Sequence, residues 1–536
     1  MPDAGEFQGA VRSVVVIGGG SAGWLSACRL AARAVQTGSG LSVTLVESST
    51  VPSVGVGEGT WPTMRNTLRK IGIDETTFIR SCDAALKQGA RFVGWTDGSA
   101  DDGYYHPLNP PAGAGDIDLS PYWLGQAGGQ AGGQSGGQAA ASVDLGKPSF
   151  ADWVDYQAAL CDAGLAPKTI TAPEYAGHAN YAYHLDAGKF ATLLRDHAVG
   201  TLGVEHVIGD VVRANQADNG DIRDVELADG RTLAGDLFVD CSGFAALLIG
   251  GVYDVPFVSC RDILFADRAL AMQIPYAAED DPIACHTIST AQDAGWIWDI
   301  GLWTRRGVGH VYSSAHTSDD EAEAALRRYA GPAAASLPVR KIAFEGGHRA
   351  RFWQNNCVAI GLSAGFIEPL EASALMLIET SLDALVDRLP QTRSTMDAVA
   401  RQFNDTFSHH WQRIIEFLKL HYVLTQRRDT AFWRDNVAAS SIPDGLQERL
   451  ELWTHHAPAP QDFAHAREVF SWPSYQYVLH GMRFDSRYRS APMTVEGASV
   501  TALVARNARI RAELVGKAPR HRDLLRSVRE HGLQRI

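Results

Sequence analysis

The sequence predicts an α/β fold: a Rossmann-like nucleotide-binding unit, an additional β-sheet and a mainly helical C-terminal part. Three observations carry this. An apolar strand runs into Gly18-x-Gly20-x-x-Gly23 and then into a helix. Alternating apolar residues with Asn-Gly and Asp-Gly turns fill residues 207–244. Apolar residues at three- and four-residue spacing dominate 376–426 and 500–530.

Taken in order, residues 13–17 read as a buried strand, a helix begins near Ser21, and a second strand ends near Glu47. Strand, turn, helix and strand form a βαβ unit. A glycine-rich loop follows at Ser53–Pro62, and residues 63–95 read as helical and then extended. Gly125–Gln138 repeats Gly-Gly-Gln-Ala/Ser without an apolar face, so residues 125–138 read as a mobile loop insert. "YAYHLDAGKFATLLRDHAVG" reads as a strand entering a helix, and the turns of 207–244 as a β-meander. The expected division is a nucleotide-binding and catalytic region, 1–375, and a helical region, 376–536, that completes the substrate site.

Bulk properties exclude several classes. The net charge of −13, with no basic stripe, argues against nucleic acid as a partner. Seven cysteines, scattered and without CxxC spacing, argue against a disulfide framework or a zinc site and for a reducing cytoplasm; no metal ligands are assigned. No apolar run approaches the roughly 20 residues that span a bilayer, and the N-terminus has no signal-peptide core. The expectation is a soluble cytoplasmic protein with no membrane partner.

The nucleotide site is read from residue types. Gly18 allows the tight turn, Gly20 lets backbone approach a pyrophosphate, and Gly23 lets helix pack on strand. Ser21 and Ala22 open the helix whose amides face the phosphates, and Glu47 stands where an acid accepts from a ribose hydroxyl. There is one such fingerprint, and "DLFVDCSGF" and "NCVAIGLSAGF" are strands that run back toward a cofactor. These features favour FAD over NAD, with Gly57 and Ile360 completing the cofactor set.

Several segments together resemble one family, the flavin-dependent halogenases of the tryptophan-halogenase-like group. They are "GGGSAGW", "VGVGEGTWP", "LKQGARFVGW", "YHLDAGKF", "DLFVDCSGF", "FADRALA", "GWIWDIGLWTRRGVGHVYSS" and "GFIEPLEAS", with a weaker echo in "SWPSYQYVLHGM". The resemblance implies that reduced FAD, oxygen and halide give hypohalous acid, which a tunnel carries to a lysine beside an aromatic substrate. It implies Lys87 and Glu371 as catalytic residues, Ser373 and Ala374 as halide contacts, and Trp296 and Trp298 as the wall that keeps organic substrate from the flavin. The chain has eight lysines against forty arginines, and only an amine can form a haloamine. In the same family frame Pro369 stiffens the turn before Glu371, and Glu368 reads as a structural partner for neighbouring backbone.

The chain departs from the pattern in places. Gly301 follows Ile300 where the family usually has proline. His106 matches a substrate histidine, but Leu108 stands at a phenylalanine position, and Trp472 falls where a second aromatic stacks. No tyrosine pair precedes Trp472, and Arg467 stands where an acid would hold an amino group. A zwitterion clamp needs opposite charges at both ends, so the expectation is indole or an indole derivative in place of free tryptophan. The family also implies a separate flavin reductase as partner. The helical C-terminus is open to two readings, core packing and pairing into a homodimer. Two other functions stay open: a single-component FAD aromatic hydroxylase, and a flavin-binding protein without turnover.

Overall fold

The computed structural model describes residues 9–50, 57–128, 148–463, 468–488 and 495–534. The run Ser13–Ile17 is apolar and almost wholly buried, as a strand covered on both faces must be. It pairs in parallel with Ser42–Glu47 on one side and Leu237–Asp240 on the other. Cys357–Ala359 and Glu205–Ile208 extend this sheet in parallel at either end, and Trp353–Gln354 adds one antiparallel edge strand. Helix Ser21–Thr37 closes the βαβ unit and ends at Gly38, whose left-handed φ of 63° lets its amide reach the carbonyls of Ala34 and Val35. Trp24, Leu25, Cys28 and Leu30 from this helix are buried; each large apolar side chain contributes roughly 1.5–3 kcal/mol.

A second sheet of seven strands contains Arg268–Pro275, Arg305–Tyr312, Gly295–Gly301, Thr287–Gln292, Gly89–Val93 and Gly103–Pro107 in that order, with Arg340–Ala343 on its outer edge. Gly57–Gly59, Ala182–Asp186 and Ala85–Lys87 form a small antiparallel sheet. The meander expected over 207–244 is shorter than its turns suggest. Only Val211–Gln216, Ile222–Leu227 and Thr232–Ala234 form it, while Leu237–Asp240 leaves to pair with Ser13–Ile17. Four consecutive buried residues there favour a central parallel strand over an edge.

The C-terminal third is helical, led by Ser373–Asp387, the long Arg393–Val423 and Trp472–Gly481. The largest core takes residues from Val14 to Leu533, so the helices share it with the sheets. Among the described residues no helix is long and apolar enough to cross a membrane. All seven cysteines are free thiols. Ser120–Gly128 ends as helix; the rest of the expected glycine–glutamine insert lies outside the described residues.

Candidate active site

The carboxyl ends of Ser13–Ile17, Leu237–Asp240 and Cys357–Ala359 meet at the glycine turn, as expected for an open α/β sheet. Gly18 has φ 118°, and a Cβ there would lie 2.2 Å from the Cys241 carbonyl oxygen; one on Gly23 would lie 1.8 Å from the Gly18 oxygen. Gly20 differs, since a Cβ on it would meet nothing within 4 Å. It is also the N-cap of Ser21–Thr37 and supplies no side-chain acceptor, so the first amides face an open cradle. Glu47 packs over Gly19 and accepts from Nε2 of His206 at 2.9 Å. The amide of Ile360 donates to Asp240, and the turn after it brings Gly361 against Ala22. Gly57 abuts Ile300 and Leu302. An open, uncapped, glycine-lined helix start with an acid beside it fits a dinucleotide such as FAD.

Lys87, at the end of strand Ala85–Lys87, and Glu371, in the turn before helix Ser373–Asp387, are electrostatically coupled. Lys87 is 3% exposed and donates from Nζ to the Thr60 carbonyl at 3.2 Å. Burial pushes its pKa down to about 8, against the opposing pull of Glu371. A Cβ on Gly59 would stand 3.5 Å from Lys87 Nζ and 3.2 Å from Ala372 Cβ, so glycine here lets the Lys87 amine and the turn after Glu371 approach one another.

Glu371 and Ala372 both adopt left-handed conformations, φ 67° and 54°. Two such residues in succession, neither glycine, are held only by their surroundings. Trp61 Nε1 donates to the Glu371 carbonyl at 2.7 Å, and the Ala372 amide donates to Pro369 at 2.9 Å. The turn aims the Glu371 carboxylate at two imidazoles. Nδ1 of His106 lies 2.7 Å from Oε1, and Nε2 of His421 lies 3.1 Å from the same atom. Burial alone would raise this carboxyl, but His106 and then His421 hold it well below the usual carboxylate range.

Helix Ser373–Asp387 starts directly after this turn with Ala372 as an N-cap that offers no side-chain acceptor. Ser373 is fully buried, and its hydroxyl has no partner among the described residues. Trp296 and Trp298 share one face of Gly295–Gly301, with ring centroids 6.4 Å apart. Glu368 accepts from Trp296 Nε1 at 3.2 Å and from the Tyr422 hydroxyl at 3.0 Å, so its partners are side chains and not backbone. Burial pushes it up to about 7. Gly301 has its own reason: a Cβ there would lie 2.7 Å from Ile283.

His106 stands in an aromatic box with Trp61, Phe417 and Tyr477, each about 6 Å from it between ring centroids. Phe470 stacks on Phe417 at 3.9 Å and meets Trp61 edge-on at 5.3 Å. Trp472 begins the next helix, half-buried, and Leu108 donates its amide to Gln157. Arg467 lies outside the described residues, while Glu468 beside it is engaged by His409 at 2.9 Å. The sequence reading missed Trp61, Phe417, His421 and Phe470. The one signal for His421 is a pair of polar residues, Lys419 and His421, inside the apolar run "EFLKLHYVL".

A family model for tryptophan halogenases matches residues 13–496. The chain is 35% identical over 472 residues to the tryptophan 6-halogenase SttH of Streptomyces toxytricini, which covers 87% of this chain and 88% of that protein. Its structure is similar to a tryptophan halogenase of Shewanella frigidimarina, with TM-score 0.92, 44% identity and coverage of 98% and 99%. It is also similar to BrvH, a flavin-dependent halogenase from Brevundimonas, with TM-score 0.82, 33% identity and coverage of 97% and 99%. With this fold and a family match across most of its length, the chain belongs to the tryptophan halogenase family of flavin-dependent halogenases.

Proposed function

We propose that the protein halogenates the ring of an indole-type substrate, using FAD reduced by a separate reductase, and that Lys87 and Glu371 carry the transfer. The observation behind this reading is a buried lysine electrostatically coupled to an ionised, doubly held glutamate, with Lys87 Nζ and Ala372, the residue after Glu371, both against Gly59. Bound reduced FAD would supply the reducing equivalents with which oxygen and halide give hypohalous acid.

The chain's residues then divide the work. Gly18–Gly23 and Glu47 hold the dinucleotide, with Gly57 and Ile360 at the rim of its cradle. The first amides of Ser373–Asp387, at Ser373 and Ala374, attract halide to an uncapped helix start. Trp296 and Trp298 wall that compartment, and Glu368 fixes Trp296. Lys87, poised to be ammonium or amine near neutrality, directs a hydrogen to the hypohalous oxygen or forms an N–halogen bond as water leaves. Glu371 is kept ionised to take the ring proton as the halogen bonds to carbon.

The aromatic box of Trp61, Phe417, Phe470 and Tyr477 is apolar enough to hold an indole ring. Glu468 is already paired with His409 and Leu108 offers no aromatic face, which supports indole or an indole derivative over free tryptophan. Bromide, the more easily oxidised halide, is the faster co-substrate in this reading. The test is turnover with FAD, NADH and an external reductase, with bromide or chloride and indole or tryptophan, read by mass spectrometry. A halogen isotope pattern on indole supports the proposal, a pattern on tryptophan alone refutes the substrate reading, and an oxygenated product without halogen refutes the reaction.

A further inference from the structure

Outside the cradle and the Lys87–Glu371 cluster, one side-chain group among the described residues has the chemistry of a binding site. Sγ of Cys161, Sγ of Cys285 and a ring nitrogen of His286 lie within 4.8 Å of one another, and all three residues are buried. We propose that Cys161, Cys285 and His286 bind a d10 metal cation of the zinc class.

Beyond their contacts with one another, the partners of these groups are poor. Nδ1 of His286 is buried and has no hydrogen-bond partner among the described residues, in a residue only 7% exposed. The Cys285 sulfur reaches the Cys161 carbonyl at 4.0 Å, the weak limit for a thiol. A buried imidazole with one unpartnered nitrogen, clustered with two buried thiols, is a donor set suited to an ion. Zinc holds thiolate at about 2.3 Å and imidazole nitrogen at about 2.0–2.1 Å, so its ligand atoms stand roughly 3.5–3.8 Å apart. The site therefore closes on an ion with a movement of about 1 Å. Two thiolates and an imidazole select zinc, cadmium or copper(I) over magnesium and calcium, which take oxygen ligands.

His521 does not compete as a ligand. Its Nε2 accepts from the Leu86 amide at 3.0 Å, and its Nδ1 donates to the Ile283 carbonyl at 3.0 Å. The Tyr105 ring meets His286 edge-on at 5.4 Å, and its hydroxyl donates to Asp162 at 2.6 Å, which sets the imidazole plane.

An ion here ties helix Gln157–Asp162 to the segment before strand Thr287–Gln292. The Cys285 carbonyl accepts from the Gln88 amide at 2.7 Å, next to Lys87, and Tyr105 precedes His106. The staple thus lies behind both strands that carry the chemistry, yet it does not depend on the halogenation reading. The residues are 124 apart in sequence, so cysteine spacing, which argues against zinc, could not reveal it.

The experiment titrates reduced, metal-free, full-length protein with zinc and with cadmium. Metal per chain is read after gel filtration, and the cadmium–thiolate charge-transfer band by ultraviolet absorption. Expected are one equivalent per chain, the band, and a higher thermal midpoint with zinc. Cys161→Ser and His286→Gln should each weaken binding at least tenfold while circular dichroism and FAD binding stay unchanged. His286→Gln serves if the cysteine variant fails to fold. Binding well below one equivalent, undiminished binding in His286→Gln, or a Cys161–Cys285 disulfide that persists in freshly reduced protein would overturn the proposal.

Discussion

His421 and Glu371 stand 3.1 Å apart, Nε2 to Oε1, although 50 residues separate them in the chain. The other imidazole nitrogen, Nδ1, faces the Phe417 carbonyl at 2.9 Å, so the ring is fixed at both edges. His421 also helps to keep Glu371 ionised against a burial that favours the neutral acid. In His421→Phe that burial weighs more and the carboxyl pKa rises. The expected result is a roughly tenfold lower kcat near neutrality, with the acid limb of the pH–rate profile moved to higher pH. An unmoved acid limb would separate His421 from the charge of Glu371.

Lys87 is held at a cost to stability. Its folded-state pKa of about 8 lies below the ordinary 10.5, so the unfolded chain binds the extra proton between those values. Stability from this group therefore rises as pH climbs from about 8 to 10.5 and is lowest below 8. Lys87→Met removes a penalty of roughly 3 kcal/mol below pH 8. Chemical denaturation at pH 7 should show a more stable variant with no halogenation, and the gap should close by pH 10.5.

Gly20 separates binding from folding. Because a Cβ there meets no protein atom within 4 Å, Gly20→Ala should leave the thermal midpoint of the apoprotein unchanged. If a pyrophosphate occupies that space, FAD affinity falls on the order of tenfold, about 1.4 kcal/mol. Fluorescence titration measures it, and unchanged affinity would place the phosphates elsewhere.

Gly309 packs against Trp298, a residue of the proposed wall. A Cβ there would stand 2.1 Å from the Trp298 ring and 2.4 Å from the Leu270 carbonyl oxygen. Gly309→Ala should lower stability by about 1–3 kcal/mol through overpacking. Displacing Trp298 should also raise the share of reduced flavin consumed without halogenated product, measured as peroxide released per turnover.

Much of this was legible in the chain. The run Ser13–Ile17, the glycine turn, the helix at Ser21 and the strand ending at Glu47 all fall where local pattern places them, because a βαβ unit is built from neighbours. The C-terminal helices follow from apolar spacing alone. Lys87, Glu371 and the two tryptophans were visible only through a family likeness, since each is an ordinary residue type in an ordinary apolar setting. What stayed hidden is long-range: His421 meeting Glu371, Trp61 clamping its carbonyl, and Cys161 meeting Cys285. The left-handed pair Glu371–Ala372 was hidden for another reason, because neither residue type advertises a positive φ. The meander was over-extended because its turn residues do not say which sheet the last strand joins.

The most direct measurement compares wild type with Lys87→Ala for two products in one reaction: oxidised halide, captured by an added trap, and halogenated indole. If Lys87 relays the oxidant, the variant consumes reduced FAD and oxidises halide as wild type does, yet yields no halogenated indole. Halogenated indole at the wild-type rate would contradict the role of Lys87, and loss of both products would place it on the flavin side instead.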